Sequence, residues 1–201
     1  SLSAIKKHVF EEGSVSLDKL IDACNRNWEG EEALRLTMWN KTPFYGNDDD
    51  YADGIMQEVY SSLFEAIDGR NSTLGSTYHL NMLSTTCHNY FGKMTAATPN
   101  GRFARTPISD GTSPSHGADR KGPTAVVKSL GKMDQVKSGG TLLNQRFLPS
   151  VLAGEDGITG LVNLIRSYFK LGGHHIQFNV VDEATLRDAQ KHPEQYKSLL
   201  V

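Results

Sequence analysis

Apolar residues recur at helical spacing through the first third of the chain, then give way to short alternating runs. Ala4, Ile5 and Val9 form a brief stripe. Ser16 is a suitable N-cap, and Leu17, Leu20, Ile21, Cys24 and Trp28 follow at intervals that place them on one helical face. On that face Cys24 reads as a small core residue. A third helix is expected over residues 31–39, stopping before Thr42-Pro43, because the residue preceding a proline is pushed out of the helical region. The strongest amphipathic pattern comes next: Ala52, Ile55, Met56, Val59, Tyr60, Leu63, Phe64 and Ile67, closed by Asp68-Gly69.

Beyond residue 70 the period drops to two. Over residues 77–87, Tyr78, Leu80, Met82 and Ser84 fall on one side and His79, Asn81, Leu83 and Thr85 on the other, which predicts a strand. Residues 92–122 show no periodicity and carry turn chemistry at Thr98-Pro99-Asn100-Gly101. Gly122-Pro123 opens a helix with proline at its first position. A strand is expected over 141–147, then an amphipathic helix led by Glu155-Asp156-Gly157. Gly172-Gly173 releases that helix into a strand over 175–181. Asp182 caps another helix, Pro193 starts a short one, and Leu199-Leu200-Val201 reads as the start of a further strand cut short. The alternation of strand and helix predicts an α/β fold with a parallel sheet and outer helices. Residues 1–70 form a helical segment and residues 71–201 the α/β segment.

The two late strands are unusual in one respect. Ile176, Phe178 and Val180 share a face, and His175, Gln177, Asn179 and Val181 the other; Asn144 and Gln145 sit within the earlier strand. A parallel strand between covering helices is normally apolar on both sides. Either these amides bond to neighbouring backbone or they line a cavity. Thr85, Asn144, Gln177 and Asn179 are the candidate cavity or substrate contacts. Thr85 stands out because it ends a predicted strand, where α/β sites form.

Composition narrows the chemistry. The chain has 201 residues and a net charge of −2, which gives no electrostatic case for nucleic acid or an anionic membrane. No apolar run approaches the roughly 18 residues of a membrane span. Two cysteines, Cys24 and Cys87, exclude a disulfide framework or a cysteine-rich metal site, and a reducing cytoplasm is the simplest location. Asn47-Asp48-Asp49-Asp50 lacks EF-hand spacing and suits a helix start instead. Cys87-His88 and His174-His175 are neighbours on predicted strands, so each pair points to opposite sides and neither forms a nucleophile–base pair or a shared metal site. Gly117 to Gly122 has phosphate-loop spacing, but Pro123 stands where a lysine is required.

Several blocks, in order along the chain, resemble the second half of a glycyl radical enzyme: Tyr45-Gly-Asn-Asp-Asp-Asp-Tyr, Thr98-Pro-Asn-Gly-Arg, Ser109-Asp-Gly-Thr-Ser-Pro, Gly117-Ala-Asp, Gly122-Pro-Thr-Ala, Gly140-Thr-Leu-Leu-Asn-Gln, His175-Ile-Gln-Phe-Asn-Val-Val and Leu186-Arg-Asp-Ala-Gln-Lys-His-Pro-Glu. The branch resembled is that of the dehydratases and C–X lyases, such as glycerol dehydratase, hydroxyproline dehydratase and choline trimethylamine-lyase. The resemblance implies part of a ten-stranded α/β barrel: a half-barrel of parallel strands with outer helices and a helical N-terminal portion. It implies radical dehydration or C–X cleavage of a small hydroxylated substrate through a thiyl radical. Formate C-acetyltransferase-like and arylacetate decarboxylase activities are alternatives within the family. The radical is stored on a glycine and installed by a radical-SAM activating enzyme, in an enzyme expected to be a homodimer. By that resemblance the reactive cysteine lies upstream of residue 1 and the radical glycine beyond Val201. No residue here is then catalytic, no metal or cofactor is held, and the piece alone is expected to be inactive. A reading of another class is a non-catalytic binding or scaffolding domain descended from such an enzyme.

Overall fold

The structure is a computed structural model that describes residues 1–199. Its first part is helical. Helix α1 (Leu2–Ile5) continues into a π-helical stretch (Lys6–Glu11), followed by α2 (Leu17–Asn25), α3 (Glu32–Lys41) and α4 (Asp50–Ile67). The Ser16 hydroxyl caps α2 by accepting from Lys19 N at 3.2 Å, as a side-chain acceptor should at a helix start. Ala4, Leu20, Ala23, Trp28 and Met38 bury one apolar cluster, which Ala97 joins and against which Cys24 packs.

The acidic run before α4 does two things. Asp49 caps the helix, accepting from Tyr51 N at 3.1 Å. Asp48 and Asp50, with Asp53 one turn on, converge on the Lys132 ammonium at 3.1, 2.7 and 2.8 Å. Asp53 is wholly buried and also accepts from the Ser129 hydroxyl at 2.9 Å. This node ties α4 to α6 (Pro123–Gly131).

The strand expected over 77–87 does not form. Thr77 makes an isolated antiparallel bridge to Asn71, and Met82 an isolated parallel one to Thr141. Met82 N is divided between Gly140 O and the Ser138 hydroxyl, both at 3.0 Å. Ser84 spends its hydroxyl on Gly111 N at 2.9 Å and its carbonyl on Cys87 N at 2.9 Å. Side-chain bonds of this kind compete with a sheet ladder. Thr85 then takes a left-handed conformation (φ 47°) and Cys87 begins α5 (Cys87–Met94). Cys87 and His88 are therefore helical neighbours, contrary to the strand reading.

The sheet among the described residues has two parallel strands, β1 (Leu143–Phe147) and β2 (Ile176–Val180), joined through α7 (Gly154–Lys170). This is a βαβ unit, and α8 (Glu183–Lys191) follows it, capped by Asp182. Leu143 packs with Val126, Val127 and Leu130 of α6 and Tyr168 of α7 in a second core, with Ile176 against it. Buried Gln135 locks this arrangement. Its Oε1 accepts from the Thr141 hydroxyl at 2.8 Å, His174 N at 3.0 Å and the Tyr168 hydroxyl at 3.3 Å. One side chain thus fixes the approach to both strands and the end of α7. The strand start read at residues 199–201 falls on residues 200 and 201, outside the described ones.

Candidate functional site

Parallel pairing places Asn144 opposite Gln177 and Arg146 opposite Asn179. Paired residues share a face, so these four side chains lie on one side of the sheet. Leu143, Gln145 and Phe147 face the other side with Ile176, Phe178 and Val180. The two late strands therefore present a common polar face. Gln145 is the exception to the expected grouping: it belongs to the apolar side, where it is buried.

The loop 108–116 is strapped over the β1 end of this face. Thr112 N and its hydroxyl both donate to Leu142 O at 2.9 Å. A Cβ on Gly111 would lie 2.6 Å from that same carbonyl, so the close approach requires glycine. The Ser113 hydroxyl accepts from Asn144 N at 2.9 Å, and Asp110 accepts from Asn144 Nδ2 at 2.7 Å. A carboxylate only accepts, so the amide's nitrogen must face Asp110 and its oxygen must face away. That Oδ1 is buried with no partner among the described residues. Gln177 and Asn179 are exposed and make no side-chain hydrogen bond among the described residues. Asn144 is thus an anchored residue, whereas Gln177 and Asn179 are free to meet something else.

Thr85 does not end a strand. Its exposed side chain sits on the left-handed turn before α5, and its carbonyl accepts from His88 Nδ1 at 2.9 Å. The neighbouring Ser84–Gly111 bond connects this turn to the loop that carries Asp110.

Residues not singled out from the sequence complete the site. The His116 imidazole is pushed below its ordinary pKa by burial and by Arg146, with Asp110 opposing. Its ring meets His88 edge-on at 6.3 Å between centroids. The Tyr45 hydroxyl donates to Thr112 O at 3.0 Å, and enclosure of that hydroxyl raises its pKa well above the ordinary value. Asp110 and Tyr45 lay inside quoted motifs, but nothing in their spacing marked which atom each would hold. Among the described residues no three His, Cys, Asp or Glu side chains gather as a metal site. No described helix is long and apolar enough to cross a membrane.

Comparison with known proteins places this geometry. The pyruvate formate lyase-like family model matches residues 1–92, and the glycine radical model matches residues 108–201. Trans-4-hydroxy-L-proline dehydratase of Clostridioides difficile is 53% identical over all 201 residues, which make up 26% of that protein. Isethionate sulfite-lyase of Oleidesulfovibrio alaskensis is 42% identical, again over the whole of this chain and 24% of its own length. The crystal structure of the C. difficile hydroxyproline dehydratase, with trans-4-hydroxy-L-proline bound, superposes with a TM-score of 0.94 at 52% identity, covering 98% of this chain and 25% of that one. Glycerol-bound B12-independent glycerol dehydratase of Clostridium butyricum superposes at 0.90 with 39% identity, covering 98% and 25%. The chain spans about a quarter of the length of the curated relatives it matches.

Proposed function

This chain belongs to the glycyl radical enzyme family, in its dehydratase and lyase branch, and we propose that it forms part of the barrel wall of an enzyme that removes water from a small hydroxylated amino acid. The observation that carries the substrate class is the step in identity, 53% to the hydroxyproline dehydratase against 42% to the isethionate sulfite-lyase, over the same residues. On this reading β1 and β2 are neighbouring strands of a ten-stranded barrel. Residues 1–70 pack outside it, and residues 71–201 form part of the half-barrel.

The radical, installed on a glycine by a separate radical-SAM activating enzyme and passed to a cysteine, supplies the hydrogen abstraction that loosens a neighbouring carbon–oxygen bond. The residues here fit the wall of such a cavity because one face of the sheet is polar and two of its amides are uncommitted. Gln177, Asn179 and the Thr85 hydroxyl offer donors and acceptors to a substrate hydroxyl or ammonium. Asn144 positions the strap 108–116 through Asp110 and Ser113 and keeps that end of the cavity rigid and dry. The packed second core behind the face holds both strands in register. The whole enzyme acts as a homodimer in the cytoplasm.

The test uses the whole protein that carries this chain, incubated anaerobically with an activating enzyme, S-adenosylmethionine and a reductant. A carbon-centred glycyl signal by electron paramagnetic resonance, with loss of one water per trans-4-hydroxy-L-proline consumed, is expected. A glycyl signal with turnover of isethionate but not hydroxyproline would overturn the substrate class. No glycyl signal, with saturable ligand binding, would favour the non-catalytic domain instead.

A further inference from the structure

A second polar region lies where the loop after α5 meets α3. Thr98 N donates to Arg102 O at 3.1 Å and Gly101 N to Thr98 O at 3.0 Å, closing a three-residue hairpin loop with Gly101 at φ +88°. The hairpin leans hard on α3: a Cβ on Gly101 would sit 2.9 Å from Arg35 O. Beside it opens a cavity of about 390 Å³, within the range of small-molecule sites. Trp39 and Phe103 supply flat apolar walls, and Asn100, Arg102, Ser115 and His116 supply polar ones.

Hydrogen bonds orient Asn100 and Arg102 within this lining, and the Ser115 hydroxyl is bonded to that of Ser109 at 3.0 Å. Arg102 Nε donates to the Thr98 hydroxyl at 3.3 Å, which turns the hydroxyl proton toward Asn100 Oδ1 at 2.7 Å. The Ser1 hydroxyl donates to the same oxygen at 3.1 Å. Both bonds end on the oxygen, so the Asn100 amide nitrogen faces the other way. Asn100 is only 6% exposed, and its Nδ2 has no acceptor among the described residues. The buried side-chain atoms without a partner among the described residues are Asp53 Oδ1 and Asn144 Oδ1, so the Asn100 nitrogen is instead an open donor at the cavity it lines, where a ligand acceptor fits.

The charge points the same way. Arg102 Nη1 donates to the Thr106 carbonyl and hydroxyl, and Nη2 to the Ala96 carbonyl. These are neutral acceptors, and among the described residues no carboxylate forms an ion pair with it. Arg35 is different: Glu32 pairs with it at 2.8 Å. None of the residues lining the cavity is acidic. A half-buried guanidinium solvated by carbonyls but not neutralised leaves the cavity electropositive.

We propose that this cavity binds a small carboxylate carrying a flat apolar body. The carboxylate meets Asn100 Nδ2 and the Ser115 hydroxyl in the field of Arg102. The flat body lies between Trp39 and Phe103. Neutral and cationic analogues lack the charge and are rejected.

Benzoate is the probe, with benzamide as an isosteric neutral control and benzylamine as a cationic one. Each is titrated into the whole protein that carries this chain, 15N-labelled at asparagine side chains and tryptophan, and followed by the Asn100 side-chain amide and Trp39 indole resonances. Saturable benzoate shifts at both positions are expected, with affinity at least tenfold above benzamide and no shifts from benzylamine. Asn100→Ala is expected to weaken benzoate roughly tenfold. If that variant does not fold, the benzoate-to-benzamide ratio on the unmodified protein decides. Equal binding of benzoate and benzamide, shifts confined to other residues, or no saturation by millimolar benzoate would each overturn the proposal.

Discussion

Replacing Gln135 with leucine removes the one acceptor on which the approaches to both strands converge. The leucine fills a similar volume, so the cost lies in the stranded donors. His174 N–H and the Thr141 hydroxyl lose their partner at 3.0 and 2.8 Å, whereas Tyr168 keeps His175 O at 3.1 Å. A buried hydroxyl and a part-buried N–H left without partners, at about 1–3 kcal/mol each, give a loss of about 4 kcal/mol. Urea unfolding of the chain followed by far-ultraviolet circular dichroism measures it. With a slope of about 2–3 kcal/mol/M, the midpoint should fall by roughly 1.5 M at unchanged slope. Thr141→Val separates orphaned donors from lost packing. Because it removes one of the two stranded groups, the double variant should be more stable than the summed single losses by about 1–3 kcal/mol. Strict additivity, or a single-variant loss below about 1 kcal/mol, would refute the view of Gln135 as the lock.

Three further outcomes follow from named contacts. Lys132→Met leaves the buried Asp53 carboxylate facing Asp48 and Asp50 without their cation. The loss should be about 3 kcal/mol by chemical denaturation, and adding Asp53→Asn should restore part of it. Gly92→Ala drives a Cβ to 2.5 Å from Thr106 O and 2.7 Å from Pro107 Cα, both backbone atoms. About 2 kcal/mol of destabilisation is expected, and a thermal midpoint within a degree of the parent would contradict it. The Asp48 carboxyl is held below its ordinary value by hydrogen bonds from Lys128 and Lys132. A carboxyl lowered in the folded state stabilises above its unfolded pKa of about 4, and that contribution is lost as pH falls through the lower folded value. Asp48→Asn should therefore flatten the acid limb of stability below about pH 4; parallel limbs would count against the pairing.

What could be read from the sequence depended on how local its cause was. Ser16, Asp49 and Asp182 cap the helices they precede because a cap is a bond to a backbone N–H two or three residues on. The strands at β1 and β2 follow from alternation bounded by glycine pairs, and their shared polar face follows from the period of two. The missing strand has a tertiary cause. Ser138 and Gly111 compete for the hydrogen-bonding groups of Met82 and Ser84 from 56 and 27 residues away. Asp110 and Gln135 escaped notice for the same reason: their partners Asn144 and His174 lie 34 and 39 residues on. Nothing in the local pattern at either position marks that partnership.

The polar face is covered unevenly, and this separates two roles that the sequence left together. Parallel sheets are normally covered on both sides. Here α6 and α7 cover one side, and the strap 108–116 covers only the Asn144 end of the other. Asn144 carries bonds that hold the strap, so Asn144→Ala leaves Asp110 without its charge-assisted donor. It should cost about 2 kcal/mol in unfolding free energy. Gln177→Ala and Asn179→Ala break no bond among the described residues, and each should change the stability of the chain by less than about 0.5 kcal/mol. In the whole activated protein the order should invert: Gln177→Ala or Asn179→Ala should lower turnover at least tenfold while the glycyl signal keeps its intensity. If both variants retain full turnover, the open amides do not face the substrate cavity.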